Sequence, residues 1–238
     1  KDNYINYQQA RIFRHSRSFE PVYCIEPYST FNKGALYYQS DNPPNLTKEQ
    51  IERVKLISYY GWGYKEHTDL KWYAITQFMI WEESYPYATY YFSNTLGGPK
   101  VIKYTEEINE INNLINNHKK QPSFETTNII EKTNKTIILK DKNNSLENYQ
   151  VTSNNAFIEN NNLIIKDLTP GTHTINLEQK LEGTKPSTFY VSGNSQNLVT
   201  KGHPDPIKTS IEVTIQETKI NVKKIDKDTK TNNPQPNT

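Results

Sequence analysis

Three observations on the 238-residue sequence predict an α+β fold. Segments before residue 123 place apolar side chains at helical spacing, after Pro122 the apolar period shortens to two residues, and turn signals then recur every few residues. The expected organisation is a helix-rich subdomain over residues 1–123, a β-sandwich over 124–218, and a linker or the start of a further module over 219–238.

Composition narrows the function classes. With 28 Lys and Arg against 26 Asp and Glu, the formal net charge of +2 gives no strong nucleic-acid footprint. A hydrophobic share of 34% is low, but 17 Tyr and 3 Trp supply additional area to bury. No apolar run approaches the roughly 20 residues that cross a bilayer, so no membrane insertion by this segment is expected. The single cysteine, Cys24, excludes an internal disulfide and a multi-thiolate metal site. No Gly-rich phosphate loop and no His/Asp/Glu cluster at ligand spacing is present, so neither a cofactor nor a metal is expected.

In chain order, Pro21-Val22-Tyr23-Cys24-Ile25-Glu26-Pro27 reads as a short strand between prolines. Alternation places Val22, Cys24 and Glu26 on one face and Tyr23 and Ile25 on the other. Thr47-Lys48-Glu49-Gln50 is a capping box that opens a first helix, with Ile51, Val54, Leu56 and Ile57 as its stripe and Gly61 and Gly63 as its stop. A second helix follows from Thr68 or Asp69 and is closed off by Pro86, and a Gly-rich turn is expected from Ser93 to Pro99. The third helix spans about Thr105 to His118, with an Asn-rich polar face. Candidate strands then run over 127–132, 135–139, 147–152, 156–158, 162–167, 172–177, 188–191, 197–201 and 211–217.

The second helix is the most aromatic segment of the chain, yet it carries Gln77 between Tyr73 and Trp81 at i−4 and i+4. A buried carboxamide is costly unless it is hydrogen-bonded or chemically consumed. A thiolate such as that of Cys24 can attack a Gln carboxamide, expel ammonia and leave a thioester, a stored acyl electrophile. On that reading Cys24 and Gln77 are the reacting pair. Tyr23, Trp72, Tyr73, Phe78 and Trp81 are then the shell that keeps water out.

Two strings give this pairing a template. Tyr23-Cys24-Ile25 and Thr76-Gln77-Phe78-Met79-Ile80-Trp81 resemble the leading motifs of the thioester domains of Gram-positive surface adhesins, in the family's order. Ser195-Gln196-Asn197-Leu198-Val199 resembles a third motif, with Ser where the family has an apolar residue. The resemblance covers roughly residues 20–200 and implies a helical subdomain packed on a β-sandwich with the thioester between them. It also implies a single-turnover covalent binder rather than a turnover enzyme. Its expected partner is a host extracellular or cell-surface protein offering a lysine amine, and its expected location is extracellular, held to a bacterial cell wall through later domains. Tyr23, Thr76, Trp81 and Gln196 are the expected supporting residues, and His67 is the histidine to test for proton transfer. Val222 to Thr229 resembles the opening of a collagen-adhesin B-type repeat, a module that forms lysine isopeptides.

Two rival readings stand beside this one. A Cys-His protease or transglutaminase would pair Cys24 with His15, His67, His118, His173 or His203, none of which sits in a recognisable motif. A non-covalent protein- or glycan-binding module would use the Tyr85, Tyr87, Tyr90, Tyr91 and Phe92 cluster. Glu26, Glu82 and Glu83 are carboxylates available for proton transfer, or simply solvated.

Overall fold

The computed structural model describes residues 12–17, 19–93, 101–124, 128–132, 136–183 and 185–217. Most of the Ser93-to-Pro99 turn and the whole tail from residue 219, with its B-repeat resemblance, lie outside these residues.

The chain opens with β1 (Phe13–Arg14), β2 (Pro21–Cys24) and β3 (Tyr38–Ser40). Then come α1 (Lys48–Tyr60), α2 (Leu70–Ser84), the short pair β4 (Phe92–Ser93) and β5 (Val101–Ile102), and α3 (Thr105–His118). The α1 start is the expected capping box: Gln50 N–H donates to Thr47 Oγ1 at 3.2 Å and Thr47 N–H to Gln50 Oε1 at 2.9 Å. Gln50 also donates from Nε2 to the Glu83 carbonyl at 2.7 Å, tying the start of α1 to the end of α2.

Strands follow as β6 (Asn128–Lys132), β7 (Ile137–Lys140), β8 (Tyr149–Val151), β9 (Ala156–Glu159), β10 (Asn162–Ile165), β11 (Gly171–Gln179), β12 (Phe189–Val191), β13 (Leu198–Thr200) and β14 (Lys208–Gln216). A three-stranded sheet, β7-β10-β9, and a four-stranded sheet, β6-β14-β11-β8, share one apolar core. Ile137, Leu163 and Ile165 from the first meet Ile175, Leu177, Ile211, Val213 and Ile215 from the second, which is the expected sandwich. The α+β reading is borne out.

Residues 186–203 depart from the expected division. β12 and β13 leave the sandwich and join the N-terminal strands in a five-stranded sheet ordered β1-β2-β13-β12-β3. Phe189 and Val199 pack in the core of the three helices, so a cut at 123/124 does not separate the two bodies. Ladder pairing with a strand some 170 residues away leaves no local trace in a sequence, because period two marks a strand and not its partner.

Candidate functional site

Cys24 ends β2, an inner strand of that five-stranded sheet, with Leu198 of the central β13 directly opposite. The expected alternation holds. Tyr23 and Ile25 face the helical core, while Val22, Cys24 and Leu198 cluster on the other face.

This alternation decides what Gln77 reaches. Approaching from the helical face, its side chain meets the strand's backbone and not the thiol. The Cys24 backbone N–H donates to Gln77 Oε1 at 2.9 Å, and Gln77 Nε2 donates to the Cys24 carbonyl at 2.7 Å. Both ends of the amide are taken. Gln77 is 2% exposed, so the two bonds also answer the cost of burying it.

Gln196 faces the sulfur instead. Stepping back two residues from Leu198 keeps a side chain on the Cys24 face, and Cys24 Sγ lies 2.7 Å from Gln196 Oε1. Ile25 N–H donates to the Asn197 carbonyl at 3.0 Å, which continues the ladder past the formal end of β13. The loop before it is fixed by Gln196 N–H donating to the Thr30 carbonyl at 3.1 Å and by Tyr37 Oη donating to the Gln196 carbonyl at 3.2 Å.

Glu26 works as a brace. Its two carboxylate oxygens accept from Asn197 N–H and Asn197 Nδ2, each at 2.9 Å, clamping the residue beside Gln196 onto the strand that carries Cys24. Asn197 Oδ1 accepts in turn from Ser192 N–H at 2.8 Å. Sequence reasoning passed over Asn197 and Tyr37. The available signal for Asn197 was its place in the third motif, between Gln196 and the apolar Leu198-Val199.

The remaining motif residues hold the frame. Thr76 Oγ1 accepts from Trp62 N–H at 2.9 Å and donates to the Trp72 carbonyl at 2.6 Å, pinning the chain leaving α1 against α2. A Cβ at Gly61 would overlap that Thr76 hydroxyl, so only glycine fits there. Tyr23 is fully buried and stacked on Tyr73 with ring centroids 5.0 Å apart. Tyr73 Oη donates to the Val22 carbonyl at 2.9 Å. These two rings shield the helical side of the strand. On the sulfur's own side the cover comes from Val22 and Leu198, with Phe13, Tyr37 and Tyr190 packed against them. Trp72 stacks on His67 at 3.6 Å, and Phe78 on Phe92 at 4.4 Å.

Burial pushes the Cys24 thiol up to about 11, opposed by its hydrogen bond with the Glu26 backbone and by the Trp81 indole N–H, while the Glu26 carboxylate adds to the rise. Trp81, one turn beyond Gln77, thus brings its N–H toward the sulfur. That N–H is buried and has no hydrogen-bond partner among the described residues.

His67 does not serve the thiol. Its Nδ1 donates to the Tyr60 carbonyl at 2.7 Å, its Nε2 meets Glu110 Oε1 at 3.1 Å, and it thereby closes the C-terminus of α1. His118, His173 and His203 bond to Tyr60 Oη, the Thr169 carbonyl and the Pro204 carbonyl respectively. Among the described residues the sulfur bonds Gln196 and Glu26 and no histidine. No group of three or more His, Cys, Asp or Glu among them is placed to hold a metal ion, and no helix is long and apolar enough to cross a membrane.

Residues 21–120 match the family model described as the thioester domain, and the resemblance read from the motifs is borne out. By fold, the chain is similar to the thioester domain of the Staphylococcus aureus TIE protein, with a TM-score of 0.65 and 20% identity over 84% of each chain. Among curated proteins no match was found. The matched segment holds Cys24 and Gln77 and ends before Gln196, which the third motif pointed to and the geometry brings to the sulfur.

Proposed function

We propose that this chain is an adhesin domain that stores an internal thioester between Cys24 and Gln196 and uses it once, to bond covalently to an amine. The observation that carries the pairing is the 2.7 Å approach of Cys24 Sγ to the Gln196 carboxamide, while Gln77 spends both ends of its amide on the Cys24 backbone. The Cys24 thiolate adds to the Gln196 carboxamide carbon, and ammonia leaves with the thiol's proton. In the second half-reaction an amine adds to the same carbon and the Cys24 thiolate departs, leaving an amide on Gln196. Gln77 thus changes role from the expected acyl donor to a positioning residue. It holds the Cys24 backbone rigid while the thiol reacts on the opposite face.

The chemistry calls for an amine, and the proposed partner, as the motif resemblance implies, is a host surface protein with an accessible lysine. The family match supports the adhesin reading. The extracellular, wall-anchored setting belongs to the same proposal. Intact mass tests it. The formed bond makes the protein lighter by about 17 Da, one ammonia, and hides the thiol from alkylation until an amine is added. A full mass with freely alkylated Cys24 overturns the reading.

A further inference from the structure

Beside Trp81, at the C-terminal end of α2, stands a carboxylate with no cation partner among the described residues. Glu83, its neighbour, pairs with Arg53 at 2.8 Å, but Glu82 has no ion pair or hydrogen bond among the described residues, and burial alone shifts it. Tyr90 lies close enough to feel the Glu82 charge, and Tyr28 and Tyr85 stand beside Tyr90. Tyr90 lies against Phe78, one turn before Glu82, with ring centroids 6.2 Å apart, and against Trp81 at 6.4 Å. Tyr28 and Tyr85 meet edge to face at 5.0 Å, and Tyr90 Oη reaches the Tyr85 carbonyl at 3.5 Å. Tyr28 lies only four residues beyond Cys24, and the Trp81 ring links the group to the sulfur. Tyr28 and Tyr85 are exposed, at 52% and 42%. Rings with open faces around an unpaired carboxylate suit an organic cation.

We propose that Glu82, Tyr28, Tyr85 and Tyr90 form the subsite that receives the attacking lysine as its ammonium, next to the thioester. This rests on the thioester reading and adds the entry route. An ammonium is not a nucleophile, so it must lose a proton before it attacks. Glu82 accepts that proton, and the partial burial that raises its carboxyl above the ordinary range suits it to the task. The freed amine bonds to the Gln196 carbonyl carbon, the carbon–sulfur bond breaks, and the departing Cys24 thiolate takes the second nitrogen proton. The aromatic groups hold the side chain and Glu82 selects its charge.

Two nucleophiles separate this subsite from the thioester itself. Nα-acetyl-lysine methylamide arrives as a cation, whereas hydroxylamine is uncharged at neutral pH. In Glu82→Gln the ratio of the lysine rate to the hydroxylamine rate should fall at least about tenfold, the effect expected for losing a positioned base and counter-charge. Tyr28→Leu, at an exposed position that folding tolerates, should lower the same ratio by raising the lysine concentration needed for half-maximal rate. The mass deficit, measured first, verifies that each variant folds and forms the bond. An unchanged ratio in both variants overturns the subsite and leaves the thioester standing. A wild-type chain without the mass deficit overturns the thioester, and the subsite with it.

Discussion

Cys24 and its two glutamines divide the work by the face each can reach. Deleting Gln77 strips the partners from a buried N–H and a buried C=O, at a cost of about 1–3 kcal/mol for each group left unsatisfied. Gln77→Ala should therefore lower the unfolding temperature and slow thioester formation, yet still yield the mass deficit after longer incubation. Gln196→Ala should never yield it. Time-resolved intact mass of the two variants checks both statements. The presence of a reactive Cys and of two candidate amides was legible in the sequence. Which amide faces the sulfur was half legible, because the two-residue period already put Cys24 opposite the Tyr23 face. What was missing was the side on which the second helix lies, a tertiary fact that no local pattern encodes.

The α1–α2 corner shows how elements position the site. Thr76 anchors the chain leaving α1, His67 closes the α1 carboxyl end, and Gly61 makes room for the contact. Gly61→Ala pushes a methyl group into the Thr76 hydroxyl, and overpacking of this kind costs about 1–3 kcal/mol. The expected result is a lower denaturant midpoint with an unchanged slope, and slower bond formation because Gln77 follows Thr76 directly. The three helices were readable because caps, stripes and breakers are local signals: the Thr47 capping box and the Thr105–His118 span both appear where expected. His67 was misread. A histidine just before a helix looks like a solvated turn or a catalytic base, and nothing nearby announces that its ring will serve the carbonyls of the preceding helix.

Across the molecule, the helical body and the sandwich meet at His118. Its Nδ1 lies 2.8 Å from Tyr60 Oη of α1, and its carbonyl accepts from Gln179 Nε2 of β11 at 2.9 Å. Burial lowers this histidine from 6.5 to about 4, with the nearby Lys119 charge adding to the fall. Below its unfolded value the unfolded chain takes up a proton that the folded chain refuses. Stability is therefore full above about pH 6.5, declines as the pH falls toward 4, and levels off there. Thermal unfolding followed across that window should fall more steeply in the wild type than in His118→Gln. The sandwich was legible from alternation alone, and the expected strands fall within a few residues of those observed. The return of residues 186–203 to the first sheet was not, and it is this return that delivers Gln196 to Cys24.

Which glutamine carries the acyl group is settled by reacting the protein with methylamine, digesting it, and locating the methylamide by fragment mass. The proposed pairing places the methylamide on Gln196, with Gln77 unmodified and Cys24 recovered as a free thiol. A methylamide on Gln77, or none on either residue, contradicts it.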